Sequence, residues 1–182
     1  MAVVNRSNKA LFLDRDGTLI FDKDYLSDPD GVELIPGVSE ALDYARVLGF
    51  MLFLHTNQGG VGRGWYSLED VEACNQRMLE LIDLPCFKFE EICIAPEAPE
   101  ELPVYRKPSP RFIEEMMVKH VLDRDQCYMV GDRDSDILAG LNAGVKPVLV
   151  KGNAIEEGNE DLLKEHQVLV FEDLLNFVQS LG

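Results

Sequence analysis

The chain has 182 residues, 46% apolar and 27% charged, enough to close one core that buries roughly 70% of the unfolded surface and unlike disordered or fibrous composition. Its 33 acidic and 17 basic side chains give a net charge of −16, which disfavours nucleic acid and anionic membrane as partners. The longest apolar run, Phe50 to Leu54, is too short to span a bilayer. The opening MAVVNRSNK carries no apolar leader, so a cytoplasmic protein is expected.

Taken in chain order, residues 1–9 read as a poorly ordered tail and Ala10–Leu13 as the first strand. Residues 20–36, polar and turn-rich, form a loop or small hairpin at the mouth of the site, too short for a cap domain. Val38, Ala41, Leu42, Ala45 and Leu48 recur at helical spacing, and Gly49 is the stop. Phe50–His55 is the second strand. Ser67 with Asp70 opens a helix whose inner face is Leu68, Val71, Met78 and Ile82. Glu91–Ala95 is a strand, and Ser109-Pro110 opens a helix with Phe112, Ile113 and Met116 inward. Gln126–Val130 and Pro147–Val150 are strands flanking a helix over Ser135–Ala143. Glu156–Glu165 reads as solvated acidic surface, Val168–Phe171 as a further strand and Glu172–Leu181 as a last helix. Strands this apolar, alternating with helices, predict an α/β fold: a three-layer, doubly wound parallel sheet with minimal or no cap, one domain over residues 1–182. The cysteines Cys74, Cys86, Cys93 and Cys127 lack zinc-site spacing and read as buried reduced thiols.

Ligands of such a sheet sit beyond the carboxyl ends of its strands, so the residues after each strand are informative. Asp14-Arg15-Asp16-Gly17-Thr18 follow the first, and His55-Thr56-Asn57-Gln58 with a glycine-rich run follow the second. Arg106-Lys107-Pro108 come after the third and Gly131-Asp132-Arg133-Asp134-Ser135-Asp136 after the fourth. Carboxylates at 14, 16 and 132 converging on one cleft would repel unless a cation lay between them. Hard oxygen ligands suit Mg²⁺. A carboxylate can also attack phosphorus to give an aspartyl-phosphate, with Lys107, Thr56 and main-chain N–H groups holding the phosphoryl oxygens. Arg15, Arg63, Arg106, Lys107 and Arg133 would focus anions into the cleft. His55 reads as packed at a strand end, and Trp65 and Tyr66 as a wall for a sugar ring or pins for their loop.

These residues resemble the haloacid dehalogenase superfamily, whose four motifs occur in order: DRDGT at 14–18, Thr56, Lys107 and GDRDSD at 131–136. The resemblance implies that Asp14 is the nucleophile and Asp16 the general acid/base, Asp16 also offering its main-chain carbonyl to Mg²⁺. It further implies that Thr56 and Lys107 bind the phosphoryl group and that Asp132 is a Mg²⁺ ligand. Asp136 would support that ligand from behind, and Asp134 is read as surface. An acid/base at residue 16 distinguishes a phosphatase from dehalogenases and phosphoryl-transfer ATPases of the same superfamily. FLDRDGTL, Tyr25, LIPGV at 34–38, TNQGGVGRG at 56–64 and RKP at 106–108 further resemble subgroup III, the heptose 1,7-bisphosphate and, less closely, histidinol-phosphate phosphatases. There Asn57, Arg63 and Arg106 would contact substrate.

The subgroup usually carries a zinc loop before RKP. Its ligand places here hold Ala95, Glu97, Pro103 and Tyr105, so no structural zinc is expected. The expected partner is a small phosphate ester, most simply a sugar bisphosphate, and a monomer is the simpler expectation. The alternatives are a histidinol-phosphate phosphatase, a non-hydrolytic phospho-acceptor domain, against which Asp16 argues, and a nucleic-acid end phosphatase, against which the charge argues.

Overall fold

The computed structural model describes residues 8–151 and 160–182. Its strands are β1 (Ala10–Leu13), β2 (Met51–Asn57), β3 (Glu91–Ala95), β4 (Cys127–Gly131), β5 (Lys146–Val150) and β6 (Leu169–Phe171). The helices are α1 (Val38–Val47), α2 (Gly59–Gly62), α3 (Leu68–Ile82), α4 (Arg111–Lys119), α5 (Asp134–Ala143), α6 (Glu160–Glu165) and α7 (Leu174–Gln179). The six strands pair in parallel in the order β3-β2-β1-β4-β5-β6. The order reverses beside β1, so a crevice opens where β1 and β4 end side by side.

Successive strand residues point to opposite faces, and both faces are covered. Leu11, Leu13, Leu52, Leu54, Val130 and Val148 meet α1, α3 and α7 through Leu42, Ala45, Met78 and Phe177. Ala10, Phe12, Phe53 and Met129 meet α4 and α5 through Phe112, Ile113, Met116 and Ala139. Phe12 stacks on Phe53 at 4.9 Å, and Phe112 meets both rings edge-on. This is the expected three-layer parallel α/β fold. A capping box between Ser67 and Asp70 starts α3 as the sequence indicates.

Several expectations change. Leu68 lies outside the inner face of α3 and is 41% exposed; Cys74 and the polar Asn75 complete the buried stripe instead. Cys86 is exposed, whereas Cys74, Cys93 and Cys127 are buried. Strand β2 continues to Asn57 because its ladder with β3 runs to Asn57↔Ala95. The solvated acidic surface expected at 156–165 takes the form of a helix over 160–165, with Glu160, Asp161 and Glu165 exposed; residues 156–159 lie outside the described part. Of the predicted N-terminal tail, residues 8 and 9 are tied down: their carbonyls accept the N–H groups of Asp123 (2.7 Å) and Met51 (2.9 Å). Residues 1–7 lie outside the described part. The 20–36 connection is an irregular loop with one antiparallel bridge, Ile20↔Leu34, and a 3-10 turn at Pro29–Gly31. Leu26 and Val32 anchor it in the core. No described helix is long and apolar enough to cross a membrane.

Candidate active site

The chain leaves β1 at Asp14, whose N–H still donates to Val130 O of β4 at 2.9 Å. It then turns back so tightly that Arg15 O accepts the N–H groups of both Leu19 (2.9 Å) and Ile20 (3.1 Å). Gly17 makes the turn at φ +80°, and a Cβ there would stand 2.1 Å from Asp132 Oδ2. A glycine is therefore required both by the backbone conformation and by the carboxylate pressed against it. At Gly131, ending β4, only the space is at issue: a Cβ would lie 2.2 Å from Asp136 Oδ2. Asp136 caps the first turn of α5 by accepting the Arg133 N–H at 3.1 Å.

Lys107 joins the two sides. Its buried ammonium donates to Asp14 Oδ1 at 2.6 Å and lies 2.5 Å from Asp136 Oδ1. Single carboxylate oxygens of Asp14, Asp132 and Asp136 all fall within 4.8 Å of one another. Three buried carboxylates around one lysine are short of positive charge. Burial, against the pull of Lys107 and helped by Asp136, raises Asp14 to about 6. Burial and then the charges of Asp14 and Asp136 push Asp132 up to about 8. Asp132 Oδ1 is buried with no hydrogen-bond partner among the described residues. A divalent cation held by oxygen ligands would answer both deficits, so the donor set fits Mg²⁺. Asp136, expected to support Asp132, pairs with Lys107 and brings an oxygen to the cluster. Asp134, read as surface, is half-buried.

Asp16 lies outside this three-carboxylate cluster. Arg15 grips its carboxylate with two hydrogen bonds, Nε to Oδ2 at 3.0 Å and Nη2 to Oδ1 at 3.1 Å. Gln58 Nε2 donates to Oδ2 at 3.1 Å and the Thr56 hydroxyl at 3.4 Å. Burial raises the Asp16 carboxyl above its usual range even though Arg15 opposes it, the direction a proton donor needs. Arg15 is fully buried, and its Nη1 donates to Asn75 Oδ1 at 3.0 Å. Its charge is thus spent on Asp16 rather than on drawing anions inward, a correction to the sequence reading. Gln58 and Asn75 were not anticipated; a polar residue within the apolar stripe of α3 was the available signal for Asn75.

Above these groups lies a cavity of about 200 Å³, lined by Asp14, Asp16, Tyr25, Asn57, Tyr66, Arg106, Lys107 and Arg133 among others. Asn57 lines it, but its side-chain oxygen accepts the Lys107 N–H (2.8 Å) and its amide donates to Lys107 O (3.1 Å). It positions the lysine. Arg63 stands at the rim, donating to the Tyr25 hydroxyl at 2.6 Å and to Glu100 at 2.5 Å, with its guanidinium over Trp65. Arg133 pairs with Asp22 at 2.5 Å. Arg106 has no carboxylate within ion-pair distance among the described residues, and its guanidinium donates to Glu97 O at 3.3 Å. His55 is buried and driven down to about 3, chiefly by burial and then by Lys107. As a neutral ring it donates through Nε2 to Tyr105 O at 2.8 Å.

The HAD-hydrolase-like family model matches residues 104–177. The chain is 44% identical to D-glycero-beta-D-manno-heptose-1,7-bisphosphate 7-phosphatase of Helicobacter pylori, over 77% of this chain and 82% of that one. It is 34% identical to D-glycero-D-manno-heptose-1,7-bisphosphate 7-phosphatase of Chlorobaculum tepidum, over 94% and 93%. The crystal structure of D,D-heptose 1,7-bisphosphate phosphatase from B. bronchiseptica, complexed with magnesium and phosphate, superposes with a TM-score of 0.83 at 27% identity, covering 95% and 97%. With relatives this similar, and with Asp14, a buried lysine and a carboxylate cluster at the switch point of such a sheet, this chain belongs to the haloacid dehalogenase-like phosphatases, in the same branch as those heptose-bisphosphate enzymes.

Proposed function

We propose that the protein is a Mg²⁺-dependent phosphatase that removes one phosphate from a heptose-type sugar bisphosphate. The observation that carries this reading is Lys107, shared between Asp14 and Asp136 beside the partnerless oxygen of Asp132. Asp14, Asp132 and the main-chain carbonyl of Asp16 would hold Mg²⁺, which when bound offsets the charge of the phosphoryl oxygens.

Asp14 attacks phosphorus, forming a carboxylate–phosphorus bond as the ester P–O bond breaks. Asp16, whose carboxyl burial raises above its ordinary range, gives a proton to the leaving sugar oxygen. Asp16 then takes a proton from water as that water attacks the aspartyl-phosphate, releasing phosphate and restoring Asp14. Lys107 steadies the charge on the transferring group, with Thr56 beside it. Arg106, without a carboxylate partner among the described residues, receives the second phosphate. Arg63 braces the rim on which the sugar lies.

The test is Mg²⁺-dependent phosphate release from heptose 1,7-bisphosphate, fructose 1,6-bisphosphate, histidinol phosphate, nucleotides and a 3′-phosphorylated oligonucleotide, with Asp14→Asn as blank. Preference for the heptose bisphosphate, lost in the variant, is expected. Preference for histidinol phosphate would replace the substrate assignment. A long-lived acyl-phosphate without turnover on any ester would overturn the enzyme reading.

A further inference from the structure

Residues 96–106 carry Pro96, Pro99 and Pro103 and contain no helix or strand, so no strand or helix ladder fixes their shape. Glu101 accepts the Ala98 N–H at 2.7 Å and Ser109 donates to Val104 O at 2.8 Å, and one side chain gathers residues 104–106. Glu97 Oε1 accepts the N–H groups of Val104 at 2.8 Å, Tyr105 at 2.6 Å and Arg106 at 3.3 Å. Three N–H groups converging on one ionised oxygen form a charge-assisted cradle. Burial favours the neutral acid, but these N–H groups hold the Glu97 carboxyl below its ordinary range. The Glu97 main-chain oxygen accepts Arg106 Nη1 at 3.3 Å. A single residue thus holds Arg106 at both its N–H and its guanidinium.

The next residue is held differently. Lys107 is fixed by both polar groups of Asn57 and by its ion pairs with Asp14 and Asp136. None of these contacts involves Glu97.

We propose that Glu97 is a positioning residue for substrate selection, setting Arg106 toward the distal phosphate while leaving the phosphoryl-transfer groups to their own supports. This rests on the function proposed above. Kinetics with heptose 1,7-bisphosphate and with p-nitrophenyl phosphate, which has no distal anion, separate the two roles. For Glu97→Ala, kcat/KM on the bisphosphate is expected to fall about 10–100-fold, carried by KM, while kcat on p-nitrophenyl phosphate stays within about twofold. Glu97→Gln, which keeps a neutral acceptor in place, is expected to recover part of the loss and covers the case in which the alanine variant does not fold. In an Arg106→Ala background, Glu97→Ala should cost little more, because both changes remove one effect. Equal loss on both substrates, no loss on either, or additive losses in the double variant would overturn the proposal. A wild-type enzyme that fails to prefer the bisphosphate over p-nitrophenyl phosphate would instead refute the substrate assignment on which it rests.

Discussion

Replacing Asp132 with Asn should stabilise the metal-free protein and destabilise it relative to wild type once Mg²⁺ is added. Asp132 is buried beside Asp14 and Asp136, and its carboxyl is raised to about 8 from an ordinary 3.8. A raised carboxyl contributes stability that is complete below the ordinary value and is lost as pH rises through about 8. At pH 7 the folded protein therefore holds the group protonated over about three pH units in which the unfolded chain ionises it. At about 1.4 kcal/mol per unit, this costs up to about 4 kcal/mol. Asparagine has no proton to lose, so with local relaxation the variant should gain about 2–4 kcal/mol at pH 7 in EDTA, raising Tm by about 5–15 °C. At pH 4 the gain should vanish. With Mg²⁺ the order should reverse, since wild type gains RT ln(1 + [Mg²⁺]/Kd) and the variant, having lost a ligand, does not. Urea denaturation at pH 4 and 7, with EDTA and with Mg²⁺, measures all four quantities. A variant less stable than wild type in EDTA at pH 7, or a difference that ignores Mg²⁺, would refute this account of the cluster.

Mg²⁺ binding should strengthen as pH rises from about 6 to about 8, because Asp14 and Asp132 must lose protons to serve as ligands. Calorimetry in buffers of different ionisation enthalpy should show proton release, and a pH-independent affinity would contradict it. Gly17→Ala places a Cβ in left-handed backbone against Asp132 and should lower kcat at least about 100-fold while costing about 1–3 kcal/mol of stability; near-normal activity would show that the turn can shift. Asn75→Leu removes the acceptor of Arg15 Nη1 and should cost about 1–3 kcal/mol in urea denaturation through the unsatisfied buried donor; a neutral result would mean the arginine finds another partner.

The sheet and the aspartates gathered at its carboxyl edge were legible in the sequence because each depends on local signals. Apolar runs of strand length announce β1, β2 and β4, and DRDGT or GDRDSD immediately after such a run places carboxylates at a strand end. Legibility failed where a role depends on distant residues. Nothing near Asn75 says that it meets Arg15, 60 residues away in the chain. Arg15 looked like a free cation because its partner, Asp16, was already assigned to chemistry. Glu97 stood in a register position read only for what it lacks, and its hold on residues 104–106 follows from a loop geometry that no periodicity encodes. Helix α6 buries no side chain fully, so its apolar pattern is too faint to stand out from acidic surface.

The separate supports of Arg106 and Lys107 have an evolutionary consequence. The supports change over at a single peptide bond: upstream the chain answers to Glu97, downstream to Asn57 and the aspartates. Substitutions, insertions or even a different fastening of residues 96–106 can accumulate without moving the lysine. Descendants of such a protein can change their diet by rewriting one loop, while the inherited machinery for breaking phosphate esters passes through the change untouched.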